Sequence, residues 1–160
     1  ALAGRTGEGE RDFARAVAAA REKTRREDTL IIVTADHSHV FTMAGYPARG
    51  TPILGKVTDC ECPPDQKGKL ALDLRGMPFT TLGYANGPGC TTGVPRPDLG
   101  SVDTGAPDYR QEATIPLGSE THGGEDVPLY ADGPHAYLFH GVLEQHVIFH
   151  VMVEALDLGQ

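Results

Sequence analysis

No run of 18 apolar residues occurs in this chain of 160, so it offers no helix able to span a bilayer. Basic residues are few: 14 Lys and Arg stand against 22 Asp and Glu, a formal charge of −8. That balance argues against nucleic acid and anionic membrane surfaces as partners. It also disfavours a phosphate-bearing substrate unless bound cations reverse the local field. Serine is scarce as well. Ser38, Ser101 and Ser119 are the only three, and none sits in a Gly-x-Ser-x-Gly elbow. A phosphate-cradling Gly-x-x-x-x-Gly-Lys loop is also missing. Chemistry by a nucleophile of this chain is poorly served.

Cysteine is limited to Cys60, Cys62 and Cys90. Pairing Cys60 or Cys62 with Cys90 would staple a loop-rich segment and imply an oxidising compartment. Cys-x-Cys could instead hold zinc, but no third and fourth ligands stand at zinc-finger spacing. The staple is favoured. The start, Ala1-Leu2-Ala3-Gly4-Arg5, shows neither an initiator Met nor a charged-then-apolar leader. The expectation is a chain cut from a longer one.

What is present reads as α/β. The length suits one domain, while 20 glycines and 12 prolines make it loop-rich. Apolar spacing at Phe13, Ala14, Val17, Ala18 and Arg21 predicts a helix from Glu8 to Arg26. Acidic residues gather in its first part and basic ones near its end, which suits the helix dipole. Leu30 to Thr34 follows as a strand apolar on both faces, the pattern of a central parallel strand. Between about Lys56 and Leu117 the texture becomes irregular. Phe79 to Tyr84 is β-prone, and Asn86-Gly87-Pro88-Gly89 reads as a turn. Strands are expected at Val127–Ala131 and Ala136–His140 around Asp132-Gly133-Pro134. A closing helix from Val142 to Leu156 would carry Val147, Ile148, Val151 and Ala155 on one side.

The chemistry-bearing residues sit at element ends. Asp36 and His37 directly follow the apolar run and supply a carboxylate oxygen and an imidazole nitrogen, a donor set suited to zinc. Neighbours in a strand point to opposite faces, so both reach one ion only if the chain turns just after Val33. His122 lies in Glu120-Thr121-His122-Gly123-Gly124-Glu125-Asp126, where glycines permit close backbone approach. Glu125 and Asp126 read as solvated acids, with orientation of an imidazole as the other option. His39 could bind phosphate or bond locally. His146 and His150 have metal-compatible i, i+4 spacing but no intervening acid, and read as packing or surface residues. His135 and His140 have no evident partners.

These segments carry a resemblance. Residues 29–39, with Gly45-Tyr46-Pro47-Ala48-Arg49-Gly50, Tyr84-Ala85-Asn86-Gly87-Pro88-Gly89, Asp108-Tyr109-Arg110-Gln111 and Glu120 through Val127, closely resemble animal-type, metal-dependent alkaline phosphatases. The resemblance continues through His140-Gly141-Val142 into the closing helix and covers nearly the whole chain. It implies part of a mostly parallel central sheet flanked by helices, with residues 56–117 as a small loop-rich β insertion, the crown. Asp36 and His37 match ligands of the zinc that holds a nucleophilic serine, and His122 a ligand of the second zinc. The implied activity is phosphomonoester hydrolysis through a phosphoserine, with two zinc ions and one magnesium. A homodimer and a secreted, periplasmic or cell-surface location are implied too. The nucleophilic serine, the phosphate-binding arginine, the magnesium ligands and the remaining zinc ligands have no counterpart here. The family's Asp-His-x-His motif would lie just before the first helix. The expectation is therefore a C-terminal portion that is inactive alone. The alternative is a non-catalytic binding module that keeps the crown-like surface, and a sulfatase-like or phosphodiesterase-like relative is disfavoured by the crown-like insertion.

Overall fold

The computed structural model describes residues 3–59, 68–91 and 95–159. Its elements are α1 (Ala3–Lys23), β1 (Ile31–Val33), β2 (Ser38–His39), β3 (Phe41–Met43), β4 (Leu82–Gly87), β5 (Ala113–Pro116), β6 (His122–Gly123), β7 (Tyr130–Asp132) and α2 (Val147–Ala155), with a 3-10 turn at Ala136–Leu138. They fall into two compact units interleaved along the sequence. One comprises residues 1–10 and 39–124, the other residues 11–38 and 125–160.

The first unit is built on a three-stranded sheet with β4 in the middle. β3 pairs with it antiparallel, Phe41 opposite Tyr84 and Met43 opposite Leu82. β5 pairs with it parallel, Tyr84 opposite Ala113 and Asn86 opposite Ile115. The period-two pleat buries Leu82 and Tyr84 together, beside the buried Val57 and Leu99. Among the described residues of 47–59 and 68–80, isolated bridges stand in place of long strands, among them Lys56 with Thr80 and Leu72 with Pro78. Proline explains the brevity, because Pro47, Pro52 and Pro78 each remove a ladder donor. Two polar ties close the unit. Gln111, 1% exposed, accepts from the Ala3 backbone N–H at 2.9 Å. Arg96 donates to Asp73, Met77, Pro78 and Glu112. A β-carbon at Gly89 would lie 1.8 Å from the Gln111 carbonyl, so no other residue fits there.

The second unit pairs β1 with β7 antiparallel, Ile31 opposite Asp132 and Val33 opposite Tyr130. Arg26 and Arg21 converge on Asp132, at 2.7 and 3.4 Å. Gly133 stands at φ +114°, where a β-carbon would meet the Thr29 carbonyl oxygen at 2.1 Å. In α2 the expected stripe is the covered one: Val151 is buried and Val147, Ile148 and Ala155 are half-buried.

Several expectations need correction. The first helix begins at Ala3, so its first turn holds no acid, although Arg21 and Lys23 occupy its last. Within its predicted stripe Val17 is partly covered, while Phe13 is exposed. β1 is half-buried and its partner is antiparallel, whereas β4 and β5 pair parallel. The β-prone segment at 79–84 forms its strand later, so Asn86 and Gly87 end β4 and the turn falls at 88–89. Pro128 cannot donate to a ladder, and β7 starts only at Tyr130. The strand expected at Ala136–His140 is the 3-10 turn, because Gly133 and His135 both take positive φ and redirect the chain. Gly141, at φ +70°, similarly delays α2 to Val147. The segment 56–117 lies inside the first unit, which extends from 39 to 124.

Candidate metal centre

β1 ends at Val33, and the chain bends at Asp36 and His37. The Thr34 hydroxyl donates to the Pro128 carbonyl at 3.1 Å and pins the exit. Beyond it, His37 Nε2 lies 3.5 Å from Asp36 Oδ2, with the carboxylate side chain 88% exposed. His37 Nδ1 lies 2.7 Å from the Ser38 carbonyl oxygen. A carbonyl only accepts, so Nδ1 carries a proton and Nε2 is the ring nitrogen that faces the Asp36 carboxylate. Metal-binding histidines are oriented in this way, one ring nitrogen donating to a backbone carbonyl while the other faces the ion. The side chains of two successive residues thus stand against one another at the strand exit.

The Ser38 hydroxyl is occupied with Glu125. Glu125 has its pKa lowered by a bond from its own backbone N–H and then by Ser38. That agrees with reading it as a solvated acid rather than a partner of an imidazole.

His122 opens β6 in the first unit. Its ring centroid is 6.2 Å from that of His39 at a tilt of 59°. His39 in turn stands edge-on to Tyr84, also at 6.2 Å, and Tyr84 edge-on to Phe41 at 5.3 Å. Glu120 is held below the usual carboxylate range, first by its own backbone N–H and, more weakly, by His39. Thr121 is gripped from β4: its backbone N–H donates to Asn86 Oδ1 at 2.8 Å, and Asn86 Nδ2 donates to its hydroxyl at 2.9 Å. A β-carbon at Gly124 would meet nothing within 4 Å, so packing within the chain does not explain that glycine.

The structure therefore brings Asp36 and His37 together in one unit and places His122 in the other. Among the described residues no three His, Cys, Asp or Glu side chains converge as a metal cluster. His146 and His150 stack edge-on at 5.9 Å on exposed positions, as surface residues do. His135 stacks on Tyr137. Cys90 is a free thiol that donates to the Thr114 carbonyl at 3.4 Å, so the staple expected through it does not form. Cys60 and Cys62 lie outside the described residues. Sequence reasoning missed the Asn86–Thr121 grip, because Asn86 looked like a turn residue, and missed His39 as the neighbour of His122.

A family model described as alkaline phosphatase matches residues 6–158. The chain belongs to the alkaline phosphatase family. It is 45% identical over 146 residues to the tissue-nonspecific isozyme of Gallus gallus, a match covering 91% of this chain and 26% of that protein. Against the Homo sapiens isozyme the identity is 42%, with the same coverage. Against an alkaline phosphatase of Gadus morhua it is 43% over 148 residues, 91% of this chain and 28% of the relative. The alkaline phosphatase match thus spans about a quarter of these relatives' length. No helix among the described residues is long and apolar enough to cross a membrane.

Proposed function

We propose that this chain supplies part of the metal centre of a phosphomonoester hydrolase: Asp36 and His37 as ligands of one zinc ion, His122 as a ligand of a second. The observation carrying this reading is the His37 ring, whose Nδ1 donates to the Ser38 carbonyl so that Nε2 is the nitrogen facing Asp36. The donor types fit zinc. Zinc bound at these positions supplies positive charge against the phosphoryl oxygens. It also answers the objection raised by the chain's own charge of −8. Asp36 neutralises part of that charge, the Ser38 carbonyl orients the His37 ring with Nε2 toward Asp36, and Ser38 is held by Glu125 rather than acting as a nucleophile.

In this reading the nucleophilic serine, the phosphate-binding arginine and the magnesium ligands belong to parts of the relatives that the chain does not span. The irregular segment 56–117, inside the first unit, is the crown-like part. A homodimer and a secreted, periplasmic or cell-surface setting complete the proposal.

The test is an aryl phosphate assay on the 160-residue chain with added zinc, beside nitrogen-resolved spectra of the histidine rings. Expected are no turnover above background and zinc-dependent shifts of the His37 and His122 rings, with the His37 shift weakened in Asp36→Ala. Turnover by the chain alone would overturn the claim that it is inactive. A His37 ring blind to zinc, or an Asp36→Ala response equal to wild type, would overturn the ligand assignment.

A further inference from the structure

We propose that Asn86 is a positioning residue for His122; the inference rests on the ligand reading just given. Asn86 is the only asparagine in the chain and stands near the end of β4, the middle strand of its sheet, where it pairs with Ile115 of β5. It is therefore anchored to the most constrained strand of its unit. Its amide uses both ends on one residue, accepting from the Thr121 N–H and donating to the Thr121 hydroxyl. A backbone N–H can only donate, which assigns Oδ1 and Nδ2 without ambiguity. Two bonds in opposite senses fix Thr121 in both position and orientation, and Thr121 is bonded directly to His122. Gly87, at φ +140°, lets the same strand end run close beside Glu120, 3.6 Å from where a β-carbon would stand. β4 thus holds the two residues before His122 from one side.

The fit is specific to an amide. Aspartate would offer only acceptors and add a negative charge two residues from the imidazole. Alanine would remove both bonds. Partners that orient a metal ligand from behind it change affinity by about 10- to 100-fold when removed.

The experiment adds zinc to the full chain and reads His37 and His122 separately from their ring resonances. In Asn86→Ala the zinc concentration for half-maximal shift of His122 rises about tenfold or more. That for His37 is unchanged, since His37 lies in the other unit. Thr121→Val keeps the N–H bond but loses the hydroxyl and shows a smaller rise, and Thr121→Ser restores the wild-type value. A His122 midpoint unchanged in Asn86→Ala, or a parallel rise at His37, overturns the positioning role while leaving the ligand reading intact. If Asn86→Ala does not fold, Thr121→Val decides, and an unchanged His122 midpoint there sinks the proposal. A wild-type His122 ring indifferent to zinc overturns the ligand reading, and the positioning role with it.

Discussion

Arg96→Met removes the side chain on which the first unit is tied. The guanidinium donates from Nη1 to the Pro78 carbonyl at 2.6 Å and Glu112 Oε1 at 2.9 Å, and from Nη2 to Asp73 Oδ2 at 2.7 Å and the Met77 carbonyl at 3.0 Å. Asp73 also accepts from the backbone N–H groups of Arg75 and Met77, so the loop from 73 to 77 is organised around one carboxylate. Exposed ion pairs contribute less than about 1 kcal/mol, and breaking a buried pair costs about 3–5 kcal/mol. The Arg96, Asp73 and Glu112 side chains are 25%, 29% and 21% exposed, between those limits. Truncation leaves two carboxylates and two carbonyls without their donor, and about 2–3 kcal/mol is expected. With a urea slope of about 1–1.5 kcal/mol/M for a unit of this size, the midpoint falls by about 2 M. The amide signals of Leu82 and Tyr84 report this unit alone. Arg96→Lys keeps the charge but not the planar fork and recovers less than half. A second reading comes from acid. Hydrogen bonding to Arg96, then to the Met77 backbone, holds the Asp73 pKa at about 2, below its ordinary 3.8. A depressed carboxylate pKa contributes stability above about pH 4 that is lost as pH falls through about 2. That acid limb should flatten in Arg96→Met. A midpoint within about 0.3 M of wild type at pH 7 would refute the tie.

Tyr109 is pushed up to about 12, first by burial and then by the Glu112 charge. Its phenol therefore stays protonated beyond pH 10, and the stability it contributes below that value is lost as pH rises through about 12. Absorbance at the phenolate band in wild type against Tyr109→Phe checks this, and an ordinary midpoint for the lost component would contradict it. Gly133→Ala drives a β-carbon into the Thr29 carbonyl at a φ that L-residues avoid. It should destabilise the β1–β7 unit by about 2–4 kcal/mol. Amide exchange at Ile32 and Ala131 measures it, and protection equal to wild type would mean that the turn at Gly133 is not tightly held.

Legibility followed local chemistry. The Thr34-Ala35-Asp36-His37 strand end could be read because an apolar run, its stop and two adjacent donors are all encoded within a few residues. The apolar side of α2 could be read for the same reason. The direction of β1's pairing was hidden, because an apolar strand shows the same pattern whether its partner runs parallel or antiparallel. The 3-10 turn replaced a strand because the positive φ at His135 is a backbone decision that its side chain does not announce. The Asn86–Thr121 grip spans 35 residues, and nothing periodic links its two ends. Arg96 likewise reaches partners 16 to 23 residues away, a span that no helix or strand period covers.

The interleaving of the two units has a consequence for the order of folding. β1 and β7 are separated by roughly a hundred residues, and closing so long a loop in an unfolded chain is slow. The intervening unit has its own buried residues and its own polar ties, and its two ends finish close together, with the His39 and His122 rings 6.2 Å apart. Once it forms, Ser38 and Glu125 are delivered as neighbours. The search of β1 for β7 then becomes a short-range one, cheaper in closure entropy by about 1.5–2 kcal/mol. The irregular segment acts as the clasp that lets the two halves of the flanking unit find each other, and changes that slow it will delay the pairing that carries Asp36 and His37.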